Sequence, residues 1–121
     1  MKFALNETNG NLIKQWKKGE ITINSTIYNQ NMIISANRLI ADWTPIDALK
    51  ITLADLTDFM ALKPELILLG TGEKQQFPEQ ALFMALYQQG IGLEVMNSKA
   101  ACRTYNILLS EGRHVVAGIF K

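Results

Sequence analysis

Lys99 and Arg103 stand four positions apart in a stretch, Asn97–Arg103, that carries no acidic residue. On a helix, that spacing is one face. Asn97 and Ser98 are both suited to start such a helix, because a short polar side chain accepts from the orphan amides of the first turn. Cations near a helix amino-terminus oppose its partial positive charge, at a cost of roughly 0.3–1 kcal/mol each. Three outcomes are open to Arg103: a pair with Glu73 or Glu94, plain solvation, or a bound anion that the first-turn amides help to hold.

Gly70-Thr71-Gly72 supplies a second candidate. It follows the apolar run Leu66-Ile67-Leu68-Leu69 and has the look of a phosphate-loop fragment. A P-loop, however, needs lysine and a hydroxyl residue after its last glycine, and a dinucleotide site needs three spaced glycines before its helix. This loop continues Glu73-Lys74-Gln75-Gln76, so a tight strand exit using glycine dihedrals is the competing reading. Cys102, beside Arg103, lies where a helix start and two cations would lower a thiol pKa. A cysteine nucleophile also needs a base, and the sole histidine, His114, opens a different element. Cys102 is therefore expected to be a packing residue. One cysteine and one histidine build neither a disulfide nor a metal cage, and no metal or other cofactor is expected. Asp42, Asp47, Asp55 and Asp58 have no metal or hydrolase spacing and read as turn and cap residues. Trp16 and Trp43 read as core or edge packing, with a partner contact as the alternative.

These candidates need a scaffold. With 121 residues, 48% hydrophobic and 19% charged, the chain is expected to be one domain that buries its own core. Residues 1–19 are polar and weakly patterned, an irregular lead-in with room for a short edge strand; residues 20–121 carry the domain. Ile21, Ile23, Ser25 and Ile27 alternate with polar neighbours and predict one half-buried strand. Asn29-Gln30-Asn31 then turns the chain, Met32–Ser35 is the returning strand, and Arg38–Trp43 offers a third. Thr52 and Asp55 match the reciprocal cap that opens a helix, with Leu53, Leu56, Phe59 and Met60 on one face. Lys63-Pro64 closes it. Leu66–Leu69 is apolar throughout and so predicts a strand covered on both sides. A second helix runs from Pro78 towards Gly90, Gly92–Met96 is a strand, and a third helix runs from Ser98 to Glu111 and stops at Gly112. Val115–Phe120 reads as a buried strand.

Strands first, then helix and strand in alternation, is the order of an α/β fold. We expect a mixed central sheet, antiparallel in its amino-terminal part and parallel βαβ in its second half, packed with about three helices. Two parallel strands deliver their carboxyl ends to one sheet edge, where open α/β sheets bind ligands. That reasoning puts Gly70, Thr71 and Gly72 beside Asn97, Ser98, Lys99 and Arg103.

Leu68-Leu69-Gly70-Thr71-Gly72-Glu73 through Gln76-Phe77-Pro78, with Gly92–Met96 and Ala100-Ala101-Cys102-Arg103-Thr104-Tyr105-Asn106-Ile107-Leu108, resembles a known family. It is the small single-domain family that includes mitochondrial complex I assembly factor 3, adipogenesis-associated relatives and many prokaryotic proteins. The resemblance runs from about Ile21 to Phe120 and marks Gly70, Thr71, Gly72, Arg103, Tyr105 and Asn106 as signature positions. It implies a compact α/β fold with a mixed sheet, brings no reaction or cofactor, and in its mitochondrial branch implies respiratory-complex assembly by interaction.

A net charge of +1 argues against a non-specific nucleic-acid coat, which relies on many phosphate neutralisations. No stretch has the length of an apolar membrane span. Met1–Asn11 has neither a signal-peptide core nor the character of a transit peptide, so the cytoplasm is the expected location. The leading expectation is a non-enzymatic protein-interaction or assembly module. The alternative is a small-molecule or anion-binding protein, with a cryptic enzyme as its extreme form, using the space between the Gly70–Gly72 loop and the Asn97–Arg103 helix start, with Asn106 one turn further on.

Overall fold

Val115–Ile119 becomes the centre of the molecule, with all five of its residues buried. The computed structural model describes residues 10–45 and 47–121. Over them the elements run β1 (Ile13–Lys17), β2 (Glu20–Ile23), β3 (Thr26–Tyr28), β4 (Met32–Ile34), β5 (Leu39–Ile40), α1 (Thr57–Ala61), β6 (Leu66–Gly70), α2 (Gln80–Gln88), β7 (Gly92–Met96), α3 (Ser98–Ser110) and β8 (Val115–Ile119). The first three strands make an antiparallel sheet; the other five make a mixed sheet in the order β5-β4-β8-β6-β7. Within it β4 is antiparallel to β5 and β8, whereas β6 is parallel to both β8 and β7.

A strand covered on both faces has to be apolar at successive positions, and β6 and β8 meet that demand. Alternate residues then serve opposite cores. Ile67, Leu69 and Val116 pack with Trp43, Phe59, Leu82 and Leu86. Leu68, Val115, Ala117 and Ile119 pack with Ile13, Ile21, Cys102 and Tyr105. One face of the mixed sheet is thus covered by α1 and α2, the other by α3 and the small sheet. Trp43 lies edge-on to Phe59 and Phe120, with ring centroids 5.1 and 5.3 Å apart.

The amino-terminal half departs from the simplest reading of its pattern. Ile21–Tyr28 is a hairpin, not one strand: the chain reverses at Asn24-Ser25, with Ile23 opposite Thr26. Asn24 takes φ +52°, a conformation that asparagine reaches more readily than most residues. Its amide donates to the Leu12 carbonyl (2.9 Å) and its Oδ1 accepts from the Leu12 amide (3.1 Å). Met32–Ile34 does not return against that hairpin but crosses to β8, because its three residues are all buried and only the mixed sheet buries both faces. The strand expected at Arg38–Trp43 is reduced to Leu39–Ile40. Ile13–Lys17, inside the stretch read as a lead-in, is the edge strand β1; residues 1–9 of that lead-in lie outside the described residues.

The second half follows its signals closely. Asp55 Oδ2 accepts from the Thr52 amide at 2.9 Å and the Thr52 hydroxyl at 3.2 Å, although the first turn, Leu53–Leu56, is 3-10 before α1 begins. Leu56 and Phe59 are buried there, while Leu53 is exposed. Asp47 also caps, accepting from the Leu49 amide at 2.9 Å. His114 sits at strand entry, where its amide (3.2 Å) and the Arg113 guanidinium (3.0 Å) both donate to Glu65. Those two bonds, Arg113 first, hold the Glu65 carboxyl below its ordinary value.

Candidate functional site

Parallel pairing puts Gly70 opposite Met96, so the loop after β6 and the turn after β7 start side by side. Their own polar groups fill the space between them. Asn97 Oδ1 caps α3 by accepting from the Ala100 amide at 2.8 Å. Ser98 is fully buried; its Oγ accepts from the Gly72 amide (2.7 Å) and donates to the Phe120 carbonyl (2.6 Å). The Ser98 amide in turn donates to the Gly72 carbonyl (2.8 Å), and the Thr71 amide to the Met96 carbonyl (3.0 Å). Thr71 Oγ1 donates to Lys74 (2.6 Å) and accepts from the Gln76 amide (3.1 Å). A Cβ on Gly70 would lie 2.9 Å from Ala101 Cβ and 3.0 Å from Ser98 Cα. Glycine is needed at that point so that α3 can approach the sheet.

Lys99, Arg103 and Asn106 face a different space. They line one side of a groove of about 330 Å³ whose other wall is β1, chiefly Lys14, Trp16 and Lys17. Lys14, Lys17, Lys99 and Arg103 are all exposed, and the described lining holds no carboxylate. Glu73, considered as a partner for Arg103, pairs with Lys18 at 3.5 Å, and the other described ion pair joins Arg113 to Glu65. None of the four groove cations has a described carboxylate within 4.0 Å. Of the three outcomes open to Arg103, pairing with Glu73 or Glu94 is therefore not the one the fold adopts.

Asn106 serves the scaffold. Its Oδ1 accepts from the Ile13 amide (3.0 Å) and its Nδ2 donates to the Ile13 carbonyl (2.7 Å), so its carboxamide meets β1 as a neighbouring strand's peptide group would. The Tyr105 hydroxyl donates to the Asn11 carbonyl at 2.8 Å, Thr104 Oγ1 reaches Met96 Sδ at 3.4 Å, and Ala101 and Cys102 are buried in the core. From Ala101 to Asn106, only the Arg103 side chain makes no hydrogen bond, ion pair or core contact with a described residue.

Burial pushes the Cys102 thiol up to about 12 and raises the Tyr105 hydroxyl as well. At neutral pH Cys102 is therefore a protonated packing thiol. His114 precedes the Val115 end of β8, whereas α3 starts at the Ile119 end. A larger depression of about 480 Å³ lies around Asn31, Pro45 and Lys121. Among its lining side chains, Asn31 donates to the Pro45 carbonyl (2.8 Å) and accepts from the Lys121 amide (2.9 Å).

The wall contributed by β1 was not foreseen. Its apolar anchors, Ile13 and Trp16, are three residues apart because the register shifts between Ile13 and Gln15, which breaks the alternation that marks a strand. The cations Lys14, Lys17 and Lys18, close in sequence to Trp16, were the available sign.

Comparison with known proteins gives a consistent placement. The family described as "Protein of unknown function (DUF498/DUF598)" matches residues 13–120. A Francisella tularensis protein named "13 kDa major membrane protein" is 36% identical over 103 residues, which span 84% of each chain. The human "NADH dehydrogenase [ubiquinone] 1 alpha subcomplex assembly factor 3" is 37% identical over 57 residues, covering 46% of this chain but only 31% of the human protein. In three dimensions, the crystal structure of a Bordetella parapertussis protein superposes with a TM-score of 0.86 at 31% identity, covering 95% of this chain and 98% of that one. Among the described residues no helix is long and apolar enough to cross a membrane.

Proposed function

The chain belongs to the DUF498/DUF598 family, and from that premise we propose that it is a non-enzymatic protein-interaction or assembly module whose contact surface is the groove between β1 and α3. The observation that carries this reading is Arg103: exposed, without a described carboxylate, and grouped with Lys14, Lys17 and Lys99. Exposed cations gathered on one surface are suited to steer and hold an acidic partner. The likeness to a NADH dehydrogenase assembly factor makes assembly of a respiratory complex the first process to test, with the cytoplasm as its proposed location.

The test is affinity capture of the full chain from soluble and membrane fractions, comparing wild type with Arg103→Glu. A defined partner, recovered from the soluble fraction and lost on charge reversal while the variant melts like wild type, is the expected result. A partner recovered equally by both proteins sinks the groove as the contact surface. Recovery confined to the membrane fraction refutes the location.

A second reading is favoured by the size of the groove. About 330 Å³ lies within the range of small-ligand sites, and four cations suit a free anion. Thermal-shift screening with phosphorylated and carboxylated metabolites tests it. A hit whose shift survives Arg103→Ala argues against the groove as its site.

A further inference from the structure

β1 is one of the two edge strands of its sheet, and the groove lies along its outer side. Lys17 and Glu20 close the two-residue turn Lys18-Gly19, with Trp16 opposite Ile21. In such a hairpin the closing pair exchanges both backbone bonds, and the next pair turns its N–H and C=O outward. The Trp16 amide and carbonyl therefore face away from β2. Ile13 faces the same way, and there Asn106 has already taken both backbone groups. Beyond Asn106 no described element pairs with this edge. An unpaired edge is a template for another strand. Along this one stand Lys14 and Lys17 on the strand and Lys99 and Arg103 on the helix, with no carboxylate in the described lining.

We propose that the groove receives an acidic protein segment in extended form, its backbone adding to β1 at Trp16 as a further strand and its carboxylates meeting Arg103 and Lys99. Charge complementarity selects the occupant. A basic segment would face four like charges, and a neutral one would leave Arg103 without a counter-charge. The Trp16 side chain is already fixed, its indole donating to the Phe120 carbonyl at 3.0 Å, so the edge is held in place before anything binds. This inference rests on the groove being the contact surface and adds how the partner is read.

The test uses the full chain, labelled with nitrogen-15, and three probes: a short capped peptide alternating glutamate with valine, its lysine–valine counterpart, and inorganic phosphate. The acidic peptide is expected to move the Trp16 amide downfield and slow its hydrogen exchange. Arg103→Glu should weaken that binding by roughly ten- to a hundred-fold, as loss of a charge-assisted contact does. N-methylation of the peptide backbone should weaken it comparably, and the lysine peptide should not bind. If the acidic peptide fails to bind, or binds with the Trp16 amide unmoved, strand addition is wrong. Phosphate that displaces the peptide completely while shifting Lys99 and Arg103 alone also overturns it, in favour of a free-anion site. All of these results can occur while Arg103→Glu still abolishes partner capture, so failure here is separable from failure of the assembly reading.

Discussion

Replacing Ser98 by alanine separates a structural junction from a binding surface. The Ser98 Oγ bridges the Gly72 amide and the Phe120 carbonyl in a fully buried setting. In Ser98→Ala the Phe120 carbonyl keeps the Trp16 indole at 3.0 Å, so the acceptor stays satisfied. The Gly72 amide is orphaned. Leaving a buried donor unsatisfied costs about 1–3 kcal/mol, and a destabilisation of that size is expected. With 121 residues and an unfolding entropy of roughly 2.1 cal/mol/K per residue, the melting temperature should fall by roughly 4–12 °C. Urea unfolding followed by tryptophan fluorescence gives the free energy, with an unchanged m-value as the control. Arg103→Ala in the same assay should stay within about 0.5 kcal/mol of wild type. A Ser98→Ala protein as stable as wild type, or an Arg103→Ala protein as weakened as Ser98→Ala, would refute the division of labour between the two residues.

Two further outcomes follow from the core. A Cβ on Gly118 would meet Phe59 Cζ at 2.5 Å and Trp43 Cζ3 at 2.8 Å; Gly118→Ala should cost about 1–3 kcal/mol of overpacking and alter the near-ultraviolet dichroism of Trp43, and an unchanged spectrum with an unchanged urea midpoint would contradict it. Alkaline pH should destabilise the fold: burial pushes the Cys102 thiol up from 9.0 to about 12 and raises the Tyr105 hydroxyl from 10.0 in the same sense. The stability these groups contribute is whole below pH 9 and is lost as pH rises towards the folded-state values, because the unfolded chain gives up its protons first. A urea midpoint that holds steady from about pH 8 to pH 11 would count against this, as would rapid labelling of the native thiol.

The second half of the fold was legible because its signals are local. The Thr52–Asp55 cap, the apolar run at Leu66, the Asn97 cap and the fully apolar Val115–Ile119 each depend on residues within a few positions of one another. The parallel pairing of β6 with β7 then follows from the helix between them. The amino-terminal half was less legible for two physical reasons. A two-residue reversal at Asn24-Ser25 inverts the parity, pairing Ile27 with Thr22 and leaving it exposed, yet the residue types of Ile21–Tyr28 alternate as one continuous strand would. Which sheet Met32–Ile34 joins is decided by burial on both faces, which only β8 supplies. At the site, the meeting of Gly70 with Ser98 was foreseeable and its hydrogen-bonded closure was not, because three of its partners come from separate parts of the chain. The cationic side of α3 was visible in Lys99 and Arg103. The facing wall was hidden by the irregular register of β1.

The order of strands in the mixed sheet sets a schedule for biosynthesis. β8 separates β4 from β6, yet it is translated after all of them. Until it leaves the ribosome, the β4–β5 hairpin and the β6–β7 unit have no ladder joining them, and each shows an open edge to the cell. The Phe120 backbone joins three parts of the chain, accepting from Ser98 and Trp16 and donating to Gly70. Asn106 can already hold β1 to α3 at Ile13, but the Trp16 end of that strand gains its anchor only when Phe120 has been made.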